Sequence, residues 1–135
     1  MSLSTKHTRR VMIMAILNFT QHAATAEQVA AGVIDLMQHD QAALKSMLNF
    51  VGLPSIDDVR NRAYDIAKLA ENLFAEQVMI GGAPFLMPVL QVELQKRGIT
   101  VLYAFSERVS VEKEIEGKVI KTNEFKHSGF VEMFI

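Results

Sequence analysis

The chain contains no cysteine. That absence excludes disulfides, thiol catalysis and thiolate metal sites, and it fits a reducing, cytoplasmic compartment. No uninterrupted apolar run is long enough to span a bilayer, so no membrane partner is expected. The apolar stretch behind the basic Met1–Arg10 segment stops at Asn18, too soon for a signal peptide. Charge of one sign is lacking too: 14 Lys+Arg stand against 15 Asp+Glu, a formal net charge of -1. Extended nucleic acid is therefore not an expected partner, although a small nucleotide pocket is compatible with this balance. The four histidines, at 7, 22, 39 and 127, have no metal-ligand spacing, so no metal and no cofactor is expected. There is no G-x-G-x-x-G run, no P-loop lysine and no nucleophile elbow, which removes the familiar dinucleotide, triphosphate and serine-hydrolase sites.

What is present is an apolar chain of 135 residues, 50% hydrophobic and 21% charged, enough for one domain with one core. Residues 1 to 11 read as an N-terminal extension and 12 to 135 as a single α/β domain. Val11 to Leu17 is continuously apolar and β-rich, the pattern of a strand buried on both faces. Thr25 with Gln28 forms a capping-box signature, predicting a helix from Ala26 to about Met37 that buries Val29, Val33, Leu36 and Met37. A second short helix is predicted over Gln41 to Phe50. A longer one over Ile56 to Phe74 follows the Ser55–Asp58 cap, with Asp58 and Arg62 spaced to pair. Val78 to Ile80 is a strand, a helix runs from about Pro88 to Gly98, and Ile99 to Phe105 is a third strand. A charged hairpin, Val111 to Ile115 and Val119 to Asn123, turns at Glu116-Gly117-Lys118, and Phe130 to Phe134 is a last strand.

Strands separated by helices imply right-handed parallel crossovers. The predicted fold is α/β and Rossmann-like: a mostly parallel central sheet with helices on both faces and a C-terminal antiparallel hairpin at one edge. Ligands of such sheets bind beyond the carboxyl ends of the strands. Three loops would open there together, Asn18 to His22, Gly81 to Pro84 and Ser106 to Arg108.

These loops supply the candidate site. Gly81 and Gly82 let backbone approach an anion closely, or simply make a tight turn. Asn18 and Thr20 could hydrogen-bond a ligand, or end the strand and order the loop. His22 is the candidate catalytic residue, since imidazole exchanges protons near neutral pH; a surface or capping role is its plainer reading. Arg108 suits a bidentate phosphate contact, or a salt bridge to a neighbouring glutamate. His127 precedes the last strand, and strand direction decides whether it faces the same pocket.

The Asn18-Phe19-Thr20-Gln21-His22 start and the Gly81-Gly82-Ala83-Pro84 centre resemble a group of small uncharacterised bacterial Rossmann-like proteins. Ile16-Leu17-Asn18-Phe19-Thr20, leaving the first strand, and the Gly81-Gly82 turn ahead of a helix are also similar to the CRISPR-associated Rossmann-fold sensors and ring nucleases. That resemblance implies a cyclic oligonucleotide as ligand, bound across a homodimer and in some members cleaved without metal. The functional expectation is thus a domain for an anionic, nucleotide-type ligand, with a metal-independent phosphodiesterase as its enzymatic form. The alternative is a non-enzymatic protein–protein interaction module.

Overall fold

The computed structural model describes residues 15–134. The predicted extension and Val11 to Met14 of the first predicted strand lie outside these residues. The elements are β1 (Ile16–Phe19), α1 (Ala26–Ala30), β2 (Val33–Ile34), α2 (Gln38–Leu48), α3 (Ile56–Asn72), β3 (Gln77–Ile80), α4 (Met87–Lys96), β4 (Thr100–Ile115) and β5 (Lys118–Met133). They form one curled, mixed sheet in the order β2-β1-β3-β4-β5. β1 pairs in parallel with β2 and β3, and β3 with β4, in a register that aligns Leu17, Val78 and Val101. β5 returns antiparallel at the edge.

Alternation along the strands divides the core between the two faces. Phe19, Val78, Ile80 and Val101 point to the main cluster, where they meet Leu44 and Leu48 of α2, Val59, Ala63, Ile66, Ala67 and Ala70 of α3, and Leu90 and Leu94 of α4. Three alanines on the buried stripe of α3 let that helix lie close to its neighbours. Ile16, Val33, Met79 and Leu102 point to the second face, where Ala24 and Phe130 pack against them. A right-handed β1–α1–β2 crossover puts α1 on this second side, opposite α2, α3 and α4.

Both capping boxes form. The Thr25 hydroxyl accepts from Gln28 N–H at 3.1 Å, and the Ser55 hydroxyl from Asp58 N–H at 3.1 Å. The helix after Thr25, however, ends at Ala30 and not near Met37. Ala31 caps it, Gly32 takes φ 105°, and Val33–Ile34 leave as a strand beside β1. Val33 and Leu36 are buried as predicted, but from strand and loop, while Val29 and Met37 are exposed. Arg62 does not bond Asp58. Its Nη1 donates to the carbonyls of Met47 at 2.9 Å and Asn49 at 2.6 Å, and its guanidinium lies 4.7 Å from the Phe50 ring centroid. The unpaired carbonyls where α2 ends are the better acceptors, because Asp58 is already held by the Ser55 N–H.

The larger difference is at the C-terminus. The predicted third strand, hairpin and last strand are two continuous strands of 16 residues each. No glycine or proline interrupts Thr100–Ile115, so the alternating pattern carries the strand through to the turn. Glu116 and Gly117 supply the two positive φ values, 52° and 77°, of a two-residue hairpin turn. A bulge shifts the register between Phe105 and Ser106, leaving Ser128 as the extra residue on β5. Beyond the sheet this ribbon is wet and charged, with Lys113 and Glu124 paired at 3.0 Å.

Arg97 joins α3 to α4. It reaches Glu93 at 3.0 Å and Glu71 at 3.6 Å, and lies 5.1 Å from the Tyr64 ring centroid. The Arg97 hydrogen bond, with help from Lys96, holds the Glu93 carboxyl below the usual carboxylate range. A depressed folded-state pKa contributes stability above the ordinary glutamate value of about 4.3, and that contribution is lost as pH falls through the folded value. The urea midpoint should therefore fall as pH is lowered below about 5. Glu93→Gln should narrow the difference between pH 7 and pH 3; an unchanged difference would remove this linkage.

Candidate functional site

In the order 2-1-3-4-5, the chain leaves β1 for one side and returns from β2 to the other, so strand order reverses between β1 and β3. The carboxyl ends of these two strands frame the natural crevice of the fold. The loop after β1 and the glycine turn after β3 meet there. Thr20, Gln21, His22, Gly81 and Gly82 line a cavity of about 560 Å³, together with Thr25, Gln28 and Tyr103. A second cavity of about 230 Å³ lies beside it, lined by Asn18, Asp35, Gln38, Gln41 and Lys45. The two share the Thr20–Ala23 segment as a common wall.

Asn18 holds this wall in place. It is 5% exposed. Its Nδ2 donates to the His22 carbonyl and to Asp35 Oδ1, both at 2.8 Å. Its Oδ1 accepts from Thr20 N–H at 3.0 Å and Thr20 Oγ1 at 2.7 Å. Both donors and two acceptor sites of the amide are thus in use, so Asn18 positions the loop and does not offer its amide to a ligand. Thr20 Oγ1 is shared between Asn18 and the His22 backbone, and its methyl group faces Gly81. The His22 side chain is exposed and borders both cavities, and its imidazole has no hydrogen-bond partner among the described residues.

The two glycines have different roles. A Cβ on Gly81 would stand 3.4 Å from Thr20 Cγ2, across the seam between β1 and β3. A Cβ on Gly82, at φ 157°, would stand 3.3 Å from Met87 Cε and 3.6 Å from Leu48 Cδ2. Gly82 therefore turns the chain over the core, and its missing side chain points away from the cavity. The helix after it starts only at Met87, with Pro88 in its first turn and no side-chain cap.

Two candidates lie elsewhere. Ser106 to Arg108 is not a loop at a strand end but continuous strand, with Arg108 opposite Phe125. Arg108 lines neither cavity. His127 lines neither as well: its backbone N–H donates to Glu27 Oε2 at 2.9 Å and its ring packs at 4.9 Å on Phe130. Among the described residues no lysine or arginine lines the larger cavity, which leaves backbone N–H groups and His22 to meet any negative charge there. Among the described residues no group of three or more His, Asp or Glu is placed to hold a metal. Asp35, Lys45 and Tyr103 are among the lining residues that sequence reasoning missed, with Thr25, Gln28, Gln38 and Gln41. Asp35 directly follows the β-branched pair Val33-Ile34, a signal concealed by extending the helix past Gly32.

Gly82→Val should lower stability by at least about 1–3 kcal/mol, from backbone strain and crowding of Met87 and Leu48. Gly81→Ala, in ordinary contact with Thr20, should change the melting temperature little. Equal stability of Gly82→Val and the parent chain in urea titrations would overturn this division of roles.

Neither a curated protein nor a solved structure matches the chain. A family model does match, over residues 14–131, and it spans the sheet, both cavities and nearly all of the ribbon. The chain belongs to the family described as the Uncharacterized protein MJ1673 family.

Proposed function

We propose that the chain binds a small anionic, nucleotide-type ligand in the crevice between the carboxyl ends of β1 and β3. The observation that carries this reading is the meeting of the Thr20–His22 loop and the Gly81-Gly82 turn, from distant parts of the sequence, at the point where strand order reverses. A cavity of about 560 Å³ is of ordinary ligand-site size. Thr20, Gly81 and His22 line it, and the His22 side chain is exposed. The resemblance to CRISPR-associated sensors and ring nucleases favours a cyclic oligonucleotide. In the enzymatic form, a ribose 2′-hydroxyl of the ligand attacks the adjacent phosphorus. The 2′ O–P bond forms, the P–O5′ bond breaks, and a cyclic phosphate and a 5′-hydroxyl result. His22 moves the proton in that step. Arg108 has no part in it.

Thermal-shift screening against AMP, ADP and cyclic di-, tri- and tetra-adenylates tests the reading. A true ligand stabilises by about 2.7 kcal/mol at a hundredfold excess over its Kd. Gly81→Val, which fills the seam at Thr20, should weaken binding of the best ligand at least tenfold by calorimetry. His22→Ala should spare binding and stop any turnover. Absence of a shift with every ligand would remove the reading.

An interaction module is the second reading. It is favoured by the loop between α2 and α3, where Val51 and Leu53 are 102% and 99% exposed. A homodimer mass by light scattering that reverts to monomer in Val51→Ser/Leu53→Ser, with no ligand response, would support it.

A further inference from the structure

The structure assigns a ribose-recognition role to Asp35: we infer that its free carboxylate oxygen, in the smaller cavity, accepts a hydrogen bond from a sugar hydroxyl of the ligand. This deepens the proposed function and rests on it. Asp35 stands at the carboxyl end of β2, immediately after Val33–Ile34. In dinucleotide-binding sheets an acidic residue about 20 residues beyond the glycine-rich first turn takes the ribose 2′-hydroxyl; this chain lacks that turn but places Asp35 at the equivalent strand end. Here Asp35 lies 17 residues beyond Asn18, to which it is hydrogen-bonded.

The hydrogen bonds make Asp35 more than an acidic residue in a convenient place. Its Oδ1 accepts twice, from Asn18 Nδ2 at 2.8 Å and from Ala24 N–H at 3.0 Å. Those two bonds anchor one oxygen of the carboxylate. Oδ2 has no partner among the described residues, and Asp35 lines the smaller cavity. An ionised carboxylate only accepts hydrogen bonds, so a free and oriented Oδ2 selects a donor. A sugar hydroxyl is such a donor, and a phosphate group is repelled. At about 230 Å³ the cavity has the room of roughly seven water molecules, enough for a pentose. Lys45 lines the same cavity and offsets the charge of Asp35. Thr20 to Ala23 line both cavities, so a ligand lying across that segment would place its sugar against Asp35 and its phosphate over the Gly81 side.

The test compares a ribonucleotide with its 2′-deoxy counterpart. AMP and 2′-deoxy-AMP are titrated calorimetrically into the full chain and into Asp35→Asn. The substitution keeps an oxygen to accept from Asn18 and Ala24 and replaces the free oxygen with a donor NH₂. Its melting temperature should therefore stay near that of the parent. The parent chain should prefer AMP by roughly ten- to a hundredfold, the size of one charge-assisted hydrogen bond. Asp35→Asn should lose that preference while retaining its affinity for 2′-deoxy-AMP. Equal affinities in the parent chain, with binding intact, would overturn the role of Asp35 and leave the crevice reading standing. Failure of both nucleotides to bind would overturn the role of Asp35, and the crevice reading falls with it only if the cyclic adenylates also give no thermal shift. If Asp35→Asn does not fold, Asp35→Ser takes its place and should lose the preference likewise; a preference retained there would overturn the role of Asp35.

Discussion

One buried amide organises the edge of this sheet where β1 and β3 end. Asn18 is the buried polar side chain at the end of a strand whose other inward groups are hydrocarbon. In that setting an unmet donor or acceptor costs roughly 1–3 kcal/mol, so its four hydrogen bonds act as one constraint. They draw Thr20 back on the strand end, bend the chain through His22, and tie the result to the residue after β2. The wall between the two cavities, the exposure of the His22 ring and the orientation of the Asp35 carboxylate all follow from where this amide lies.

The helical layer supports that edge through charge placed on helix ends. Arg62, from the middle of α3, satisfies carbonyls where α2 stops, and Arg97, just past α4, reaches carboxylates on both α3 and α4. Each arginine also covers an aromatic ring, so its apolar plane is used as well as its charge. These contacts leave the core itself to hydrocarbon and small residues. Gln91, the other buried polar side chain among the described residues, is met by Gln95 and the Tyr103 hydroxyl, whose pKa is raised by burial.

What could be read from the sequence was whatever depends on near neighbours. Thr25 with Gln28 and Ser55 with Asp58 announce their helices because a capping box is complete within four residues. The Gly81-Gly82 turn and the Thr20–His22 loop could be placed at one edge because parallel strands share a direction. Helix ends were harder: Val33 and Leu36 fit a helical stripe and a strand–loop equally well, and only the pairing of Val33 with Ile16 decides. Arg108 was misplaced for the same reason. The length of β4 depends on its partners Glu124 to His127, which lie across the hairpin and leave no mark on the local pattern at Ser106 to Arg108. Of the two roles open to Asn18, contacting a ligand or ending the strand, the hydrogen bonds give the second, and its bond to Asp35 cannot be seen before β2 is known.

The long hairpin also bears on how the chain assembles. Its two strands are joined by two residues, so every rung forms without bringing distant segments together, on the microsecond scale of hairpin closure. β1 and β3 are separated in the sequence by α1, β2, α2 and α3, and closing so long a loop slows folding. The ribbon can therefore exist before the parallel sheet does. Its β4 root would then offer a preformed edge on which β3, and after it β1, align in register. On that account the crevice is the last part of the molecule to take shape, and changes at Glu116–Gly117 would register first in the folding rate.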